Sequence, residues 1–265
     1  MTKPSFNSLL RIALLFYSLL FIPKYIHHPN IELINSHLEE DLFEGKSNMP
    51  NGHKVFIQGL IPIIQEANRE ILIEREHLIK IMDGIRLGKK IPIQEKKWLN
   101  DLDEKYRDES NFVNLKLDKE IVLTNLDELL KRVDVVPVRI ALAQAAIESG
   151  WGKSRFSTEG NAYFGILCYK PGCGINSKTN GNGSFVVKSY ASTMESVADY
   201  LLFVNSKKGM QGFRNARFKF LHEDNLPNIF KLSRSIKGYS EIGDTYNQMI
   251  ESMLNYYIPD NIPNN

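Results

Sequence analysis

The chain holds only two cysteines in 265 residues, too few for a disulfide framework or a four-thiolate metal site. Between Lys131 and Ile258 the only histidine is His222, so no zinc ligand set and no Cys–His nucleophile pair is visible. Hydrolysis assisted by a metal or driven by a thiolate is therefore not expected. No cofactor and no metal is called for. Between Asn161 and Ala191 there is neither Asp nor Glu. No internal repeat and no low-complexity tract interrupts the sequence. No apolar run reaches the roughly 20 residues that a comfortable membrane span needs.

What is present is ordinary for a globular protein, with 43% hydrophobic and 24% charged residues. The length suits one large domain or one domain with a helical appendage. The net charge of +2 selects no partner. Lys131 to Ile258 carries 16 Lys and Arg against 10 Asp and Glu, which suits an acidic polymer as well as it suits a merely solvated face.

At the N-terminus Lys3 precedes an apolar stretch from Leu9 to Ile22, broken only by Arg11, Tyr17 and Ser18. The run from Ile12 to Ile22 has the length of a signal-peptide hydrophobic region. The following Ile22-Pro23-Lys24-Tyr25-Ile26 offers no small-x-small cleavage site. Residues 1–26 therefore read as a signal sequence or an uncleaved anchor, with Arg11 and Lys24 snorkelling to the headgroups. Export to the cell envelope is expected, on the periplasmic side, secreted or associated with the inner membrane. In an exported chain, Cys168 and Cys173 across Tyr-Lys-Pro-Gly read as a small disulfide loop rather than half a metal site.

Residues 27–54 have a linker composition, with His-His-Pro, Gly45 and Asn-Met-Pro-Asn-Gly. From Val55, the residues Phe56, Leu60, Ile63, Ile64, Ala67 and Ile71 keep to one helical face, continued by Leu78, Ile81, Met82 and Ile85. Gly88 ends that helix and Pro92 opens a second with Leu99, Leu102 and Tyr106 as its stripe. A helical hairpin from Val55 to Tyr106 is expected, within a helical N-terminal region over 55–124. A helix follows near Leu126 to Val133, and another from Val138 to about Ser149 behind Pro137, since Pro is tolerated in a first turn. Ser184 to Tyr190 is strand-like. Tyr246, Met249, Ile250, Met253, Leu254 and Tyr257 mark a closing helix.

The segment Ala141-Leu-Ala-Gln-Ala-Ala-Ile-Glu148-Ser-Gly-Trp-Gly152 carries the chemistry. Its alanines permit close backbone packing, so the helix belongs at the centre of its domain. It ends in a carboxylate that the helix macrodipole opposes, followed at once by Gly-Trp-Gly. Burial beside Trp151 would favour the neutral acid, and a carboxylic acid still protonated near neutral pH is what a glycosidic oxygen requires as proton donor. Gln144, four residues back, shares the face of Glu148.

That segment, with Lys153-Ser154 after it and Gly160-Asn-Ala-Tyr-Phe-Gly165 downstream, resembles the family seventy-three glucosaminidases, which include flagellar muramidases and many autolysins. Leu126 to Pro137, the Cys168–Cys173 loop and Gly238 to Tyr246 add to the likeness. Within that family it looks most similar to the bacterial Bax proteins, helical N-terminal region included, over roughly residues 55 to 257. The resemblance implies a mostly α, lysozyme-like α+β fold with a small β-lobe, its catalytic domain at 125–258 and a tail at 259–265. It implies cleavage of peptidoglycan glycan strands after N-acetylglucosamine, with no nucleic-acid partner. Glu148 matches the proton donor and Tyr239 the tail tyrosine near it. Gln144, Trp151, Asn161, Phe164 and Gly165 would line the substrate groove.

A glycosidase of the two-carboxylate type needs a second acid, and the acid-free stretch from Asn161 to Ala191 leaves that place empty. Glu195, in Ser192-Thr-Met-Glu195, reads as a capping box, and Glu159 as solvated. Glu241, two residues after Tyr239, is the remaining candidate. Attack by the substrate's own 2-acetamido group, or lytic transglycosylation with the acid alone, are the other routes. A non-catalytic wall-binding module is the reading from a different class.

Overall fold

A computed structural model describes residues 42–46, 48–107, 113–176, 186–223, 228–236, 239–240 and 243–264. The expected signal sequence or anchor, most of the expected linker, and Glu241 lie outside them. The fold is mostly α with one small sheet, as the lysozyme-like reading requires. Among the described residues no helix is long and apolar enough to cross a membrane.

Helix α1 (Asn51–Arg86) is a single helix of 36 residues. It begins four residues before the apolar pattern does, so the end of the expected linker is helical. Its periodic stripe, including Ile57, Leu60, Ile64, Ile71, Leu78 and Met82, is buried, which is what stabilises so long a helix in a globular protein. Helix α2 (Ile93–Tyr106) opens behind Pro92 and buries Leu99, Leu102 and Tyr106. It folds back on α1, where the Tyr106 hydroxyl donates to Glu74 at 2.6 Å and His77 meets Glu95 at 2.7 Å.

Helices α3 (Lys119–Arg132), α4 (Val138–Ser149) and α5 (Arg155–Gly160) lead into the β-lobe. Its strands β1 (Leu167–Cys168), β2 (Gly174–Ile175) and β3 (Val186–Lys188) are ordered β1-β3-β2. Both outer strands run antiparallel to β3, and Leu167 and Ile175 each pair with Val187. The sequence placed the central strand correctly; β1 and β2 are only two residues each and carry no alternation to read. Then follow α6 (Thr193–Ser206), a 3-10 turn (Lys208–Met210), α7 (Gln211–His222), α8 (Ile229–Ser233) and α9 (Asp244–Tyr256).

The Ser192 cap of α6 is formed, the Glu195 N–H donating to Ser192 Oγ at 3.2 Å, while the Glu195 carboxylate reaches one residue beyond the expected box to accept the Ala191 N–H at 3.0 Å. Helix α1 packs on α6, α3 and α4, and one hydrophobic core takes residues from α1 and α2 as well as from the later helices. Asn68, wholly buried on α1, donates to the Val136 carbonyl at 2.8 Å and accepts from the Val136 N–H at 3.0 Å. Arg75 donates to the carbonyls of Leu130 and Val133. The tail is docked rather than loose: Ile258 and Ile262 are buried, Asp260 pairs with Arg139, and the Val138 N–H donates to the Asn264 carbonyl.

Candidate active site

Helix α4 is buried on all sides along most of its length, from Val138 to Ala146, so its run of alanines serves close packing against α1 and α9. It stops in a Schellman arrangement. Gly150 takes the left-handed conformation at φ 58°, the Trp151 N–H donates to the Ala146 carbonyl at 3.0 Å, and the Gly150 N–H to that of Ile147. Ser149 Oγ accepts the Gly152 N–H at 2.7 Å and donates to the Ala145 carbonyl. The ending is thus built into Glu-Ser-Gly-Trp-Gly, and it leaves Glu148 in the last turn, half-buried.

Burial raises the Glu148 carboxyl above the usual carboxylate range, against the pull of a hydrogen bond from Tyr246. Its place in the last turn, at the negative end of the helix dipole, acts in the same direction as burial. Gly165, at φ 63°, faces the carboxylate; a Cβ there would stand 3.3 Å from Glu148 Oε2. Glycine keeps that side of the acid open.

Behind the acid runs a buried polar chain. Tyr200 Oη donates to Gln144 Oε1 at 2.7 Å, Gln144 Nε2 donates to Tyr246 Oη at 3.0 Å, and Tyr246 bonds Glu148. Gln144 is 1% exposed. It shares the face of Glu148 as expected, but it supports the site from within and does not offer a surface to a sugar. Tyr239 donates its hydroxyl to the Phe164 carbonyl at 2.7 Å and stacks on Tyr246, with ring centroids 5.6 Å apart. Burial raises the Tyr239, Tyr200 and Tyr246 hydroxyls above the ordinary phenol value, with the charge of Glu148 adding to each. All three therefore remain donors.

The remaining groove candidates divide. The Phe164 ring is buried and stacked on Tyr200, at 3.9 Å between centroids, so it is core, and its carbonyl is what meets Tyr239. Asn161, left-handed at φ 50°, ends α5 and donates to the Tyr190 carbonyl at 3.0 Å, tying the helix to the β-lobe. Trp151 lies face to face with His53 of α1. Cys168 and Cys173 form a disulfide, closing the loop between β1 and β2. Glu195 is engaged in its cap, and Glu159 pairs with Arg155 on an exposed face. Among the described residues no cluster of three His, Cys, Asp or Glu is placed to hold a metal ion.

Tyr200 and Tyr246 were the residues that pattern alone did not assign to the site. Tyr246 read as one more member of the closing helix's apolar stripe. The signal was its hydroxyl, since a phenol on a buried helix face needs a polar partner.

Residues 123–258, about half the chain, match the family model described as Glucosaminidase, mannosyl-glycoprotein endo-beta-N-acetylglucosaminidase. Over 216 residues the chain is 30% identical to Protein bax of Escherichia coli (strain K12), covering 80% of this chain and 72% of that protein. The chain belongs to the glucosaminidase family. No solved structure matches it. Membership places the chain among the glycoside hydrolases. The likeness to Protein bax is longer than the family-matched segment, and only seven residues follow Ile258, so it reaches into the N-terminal helices.

Proposed function

We propose that this glucosaminidase is an envelope-localised peptidoglycan hydrolase that cuts the glycan strand after N-acetylglucosamine, with Glu148 as its general acid. The observation that carries the reading is the half-buried Glu148 carboxyl, its pKa raised, open on the Gly165 side and bonded by Tyr246 on the other. Glu148 gives its proton to the glycosidic oxygen as the bond from that oxygen to the anomeric carbon of N-acetylglucosamine breaks. The oxygen leaves as a hydroxyl, and positive charge develops at the sugar ring. Water then adds to the anomeric carbon, either directly with loss of its proton to a base, or after the 2-acetamido group has captured that carbon, the Glu148 carboxylate then taking the proton of the water that reopens the ring. Glu241, two residues beyond Tyr239, is the base this reading names. An exported location is supported by the apolar N-terminal stretch and by the disulfide, since such bonds persist in oxidising compartments.

A second reading, lytic transglycosylation, draws on the engagement of Glu159 and Glu195 elsewhere. A single acid would suffice if the muramic 6-hydroxyl closed an anhydro ring. Mass spectrometry of products from purified cell wall separates the readings. Reducing N-acetylglucosamine ends are expected. Anhydromuramic ends would replace hydrolysis with transglycosylation, free stem peptides would mean an amidase, and undigested wall would leave a binding module.

A further inference from the structure

The turn after the acid places three consecutive residues at positive φ: Gly150 at 58°, Trp151 at 62° and Gly152 at 72°. Glycine adopts that region freely, whereas Trp151 carries a Cβ and is strained there. Such strain persists only where the surroundings over-determine it. Much of what surrounds Trp151 comes from outside the family-matched segment. His53, in the first turn of α1, lies face to face with the indole, with ring centroids 3.8 Å apart and planes within 5°. Phe56 of the same helix meets it edge-on at 5.7 Å, and Tyr257, following α9, meets it edge-on at 5.3 Å. A Cβ on Gly152 would stand 3.2 Å from the Phe56 ring, so the second glycine of Gly-Trp-Gly lets α1 close on the turn. Farther along α1, Asn68 holds both backbone groups of Val136, just before α4 begins. Helix α1 is therefore fastened at both ends of the helix that carries Glu148.

We propose that α1 is a positioning element of the active site, acting through His53 on Trp151 to hold the turn that aims the Glu148 carboxyl. This rests on Glu148 being the acid. The His53 ring is suited to stacking in its neutral form: burial first, and the neighbouring Lys153 second, lower its pKa. Around it stand Trp151 and Lys153 of the turn, Phe56 of α1 and Tyr257. Around Glu148 stand Tyr246 of α9, Tyr200 of α6, Tyr239 and the Gly165 backbone. Releasing the turn admits water to Glu148 and lowers its pKa.

The test uses the full chain on soluble peptidoglycan fragments, comparing wild type with His53→Ala and His53→Phe, and with Glu148→Gln as the inactive reference. His53→Ala is expected to lower kcat about tenfold or more, the scale of loss that misplacement of a reacting group produces, with KM little changed. Its alkaline limb moves to lower pH. His53→Phe restores both, because a flat ring again covers the indole. A second readout does not depend on turnover: in a Trp98→Phe background, Trp151 emission shifts to the red in His53→Ala and returns in His53→Phe. Wild-type kcat and pH profile in His53→Ala would overturn the proposal. So would a loss that follows the thermal midpoint alone and is not recovered by His53→Phe. Turnover retained by Glu148→Gln would overturn the acid assignment and this proposal together, and the emission shift would still report whether His53 holds Trp151.

Discussion

Tyr246 donates its hydroxyl to Glu148, and the neighbouring amide fixes that direction. Gln144 Nε2 already donates to the Tyr246 oxygen at 3.0 Å, while Gln144 Oε1 takes the proton of Tyr200 at 2.7 Å. The proton of Tyr246 is left for the acid. Donors in such a chain strengthen one another in a low-dielectric interior. Burial pulls Glu148 toward its neutral form and Tyr246 pulls it toward the carboxylate, so the acid's titration is a balance of the two.

Tyr246→Phe removes the pull that favours the carboxylate. The pKa of Glu148 should rise further, and the alkaline limb of the kcat profile should move to higher pH. The orphaned Gln144 amide should cost about 1–3 kcal/mol of stability, measured by denaturant titration. An unmoved alkaline limb would count against Tyr246 as the partner that sets the acid.

Glu148→Gln should lower wall hydrolysis by ~100-fold or more, since the amide keeps the shape but has no acidic proton to give. Its effect on stability has a definite sign. The folded state holds the Glu148 proton to higher pH than the unfolded chain does. At acid pH both states are protonated and the side chain is neutral in its effect. As pH rises the unfolded chain ionises first, stability falls, and the full cost persists above the raised pKa. Thermal midpoints of Glu148→Gln should equal or exceed wild type at neutral pH, and the gap should close as pH falls. Activity within a few-fold of wild type would remove the assignment.

Gly165→Ala sets a methyl group 3.3 Å from Glu148 Oε2 at a backbone φ of 63°. The conformation costs an L-residue roughly 1–2 kcal/mol, and the crowded acid should lose turnover by about tenfold or more. Kinetics on soluble glycan fragments together with denaturant titration check both parts. A normal kcat would show that the open side of the acid is not where the substrate approaches.

Cys168 and Cys173 should resist labelling in protein recovered from the envelope until a reductant is added. A loop this short removes little unfolded-state entropy, so Cys168→Ala should lower stability by less than the ~3 kcal/mol expected for a loop of about 15 residues. Two freely labelled cysteines would speak against both the bond and the exported location.

Glu241→Gln should cut turnover ~100-fold or more if that residue activates water, and azide should partly rescue Glu241→Ala. Near-normal turnover in Glu241→Gln would discard it as the base. Inhibition by a thiazoline mimic of the cyclised intermediate would then point to the 2-acetamido group.

Much of this was legible in the chain. The apolar positions read from Phe56 to Ile85 keep to one helical face, broken where Arg75 takes the buried place between Ile71 and Leu78, so α1 could be read almost to its ends. The alanines of α4 announced close packing, and Ser192 with Glu195 announced the start of α6. The groove was harder. Phe164 and Gln144 sit beside the acid in the motif, but adjacency in sequence does not say which side of the backbone faces solvent, and both side chains turned out to be buried. Tyr246, the partner of Glu148, comes from α9, and Tyr200, which reaches it through Gln144, from α6, about 100 and 50 residues away in sequence respectively. Their hydroxyls look like any tyrosine on an apolar stripe until the helices are assembled. His53 fell in what read as linker, because a single first turn has no periodicity to display.

The last residues described lie against the first turn of α4, where Val138 donates to Asn264 and Arg139 pairs with Asp260. Excising residues 123–258 as a minimal enzyme would strip that turn of its cover at the same stroke that removes α1. Arg139 would lose its counter-charge, and the faces of α4 that meet α1 would be wetted. A fragment cut to the family-matched segment therefore lacks contacts made at both ends of α4, and gene fusions or truncation libraries should place their junctions before Leu42 and after Asn264.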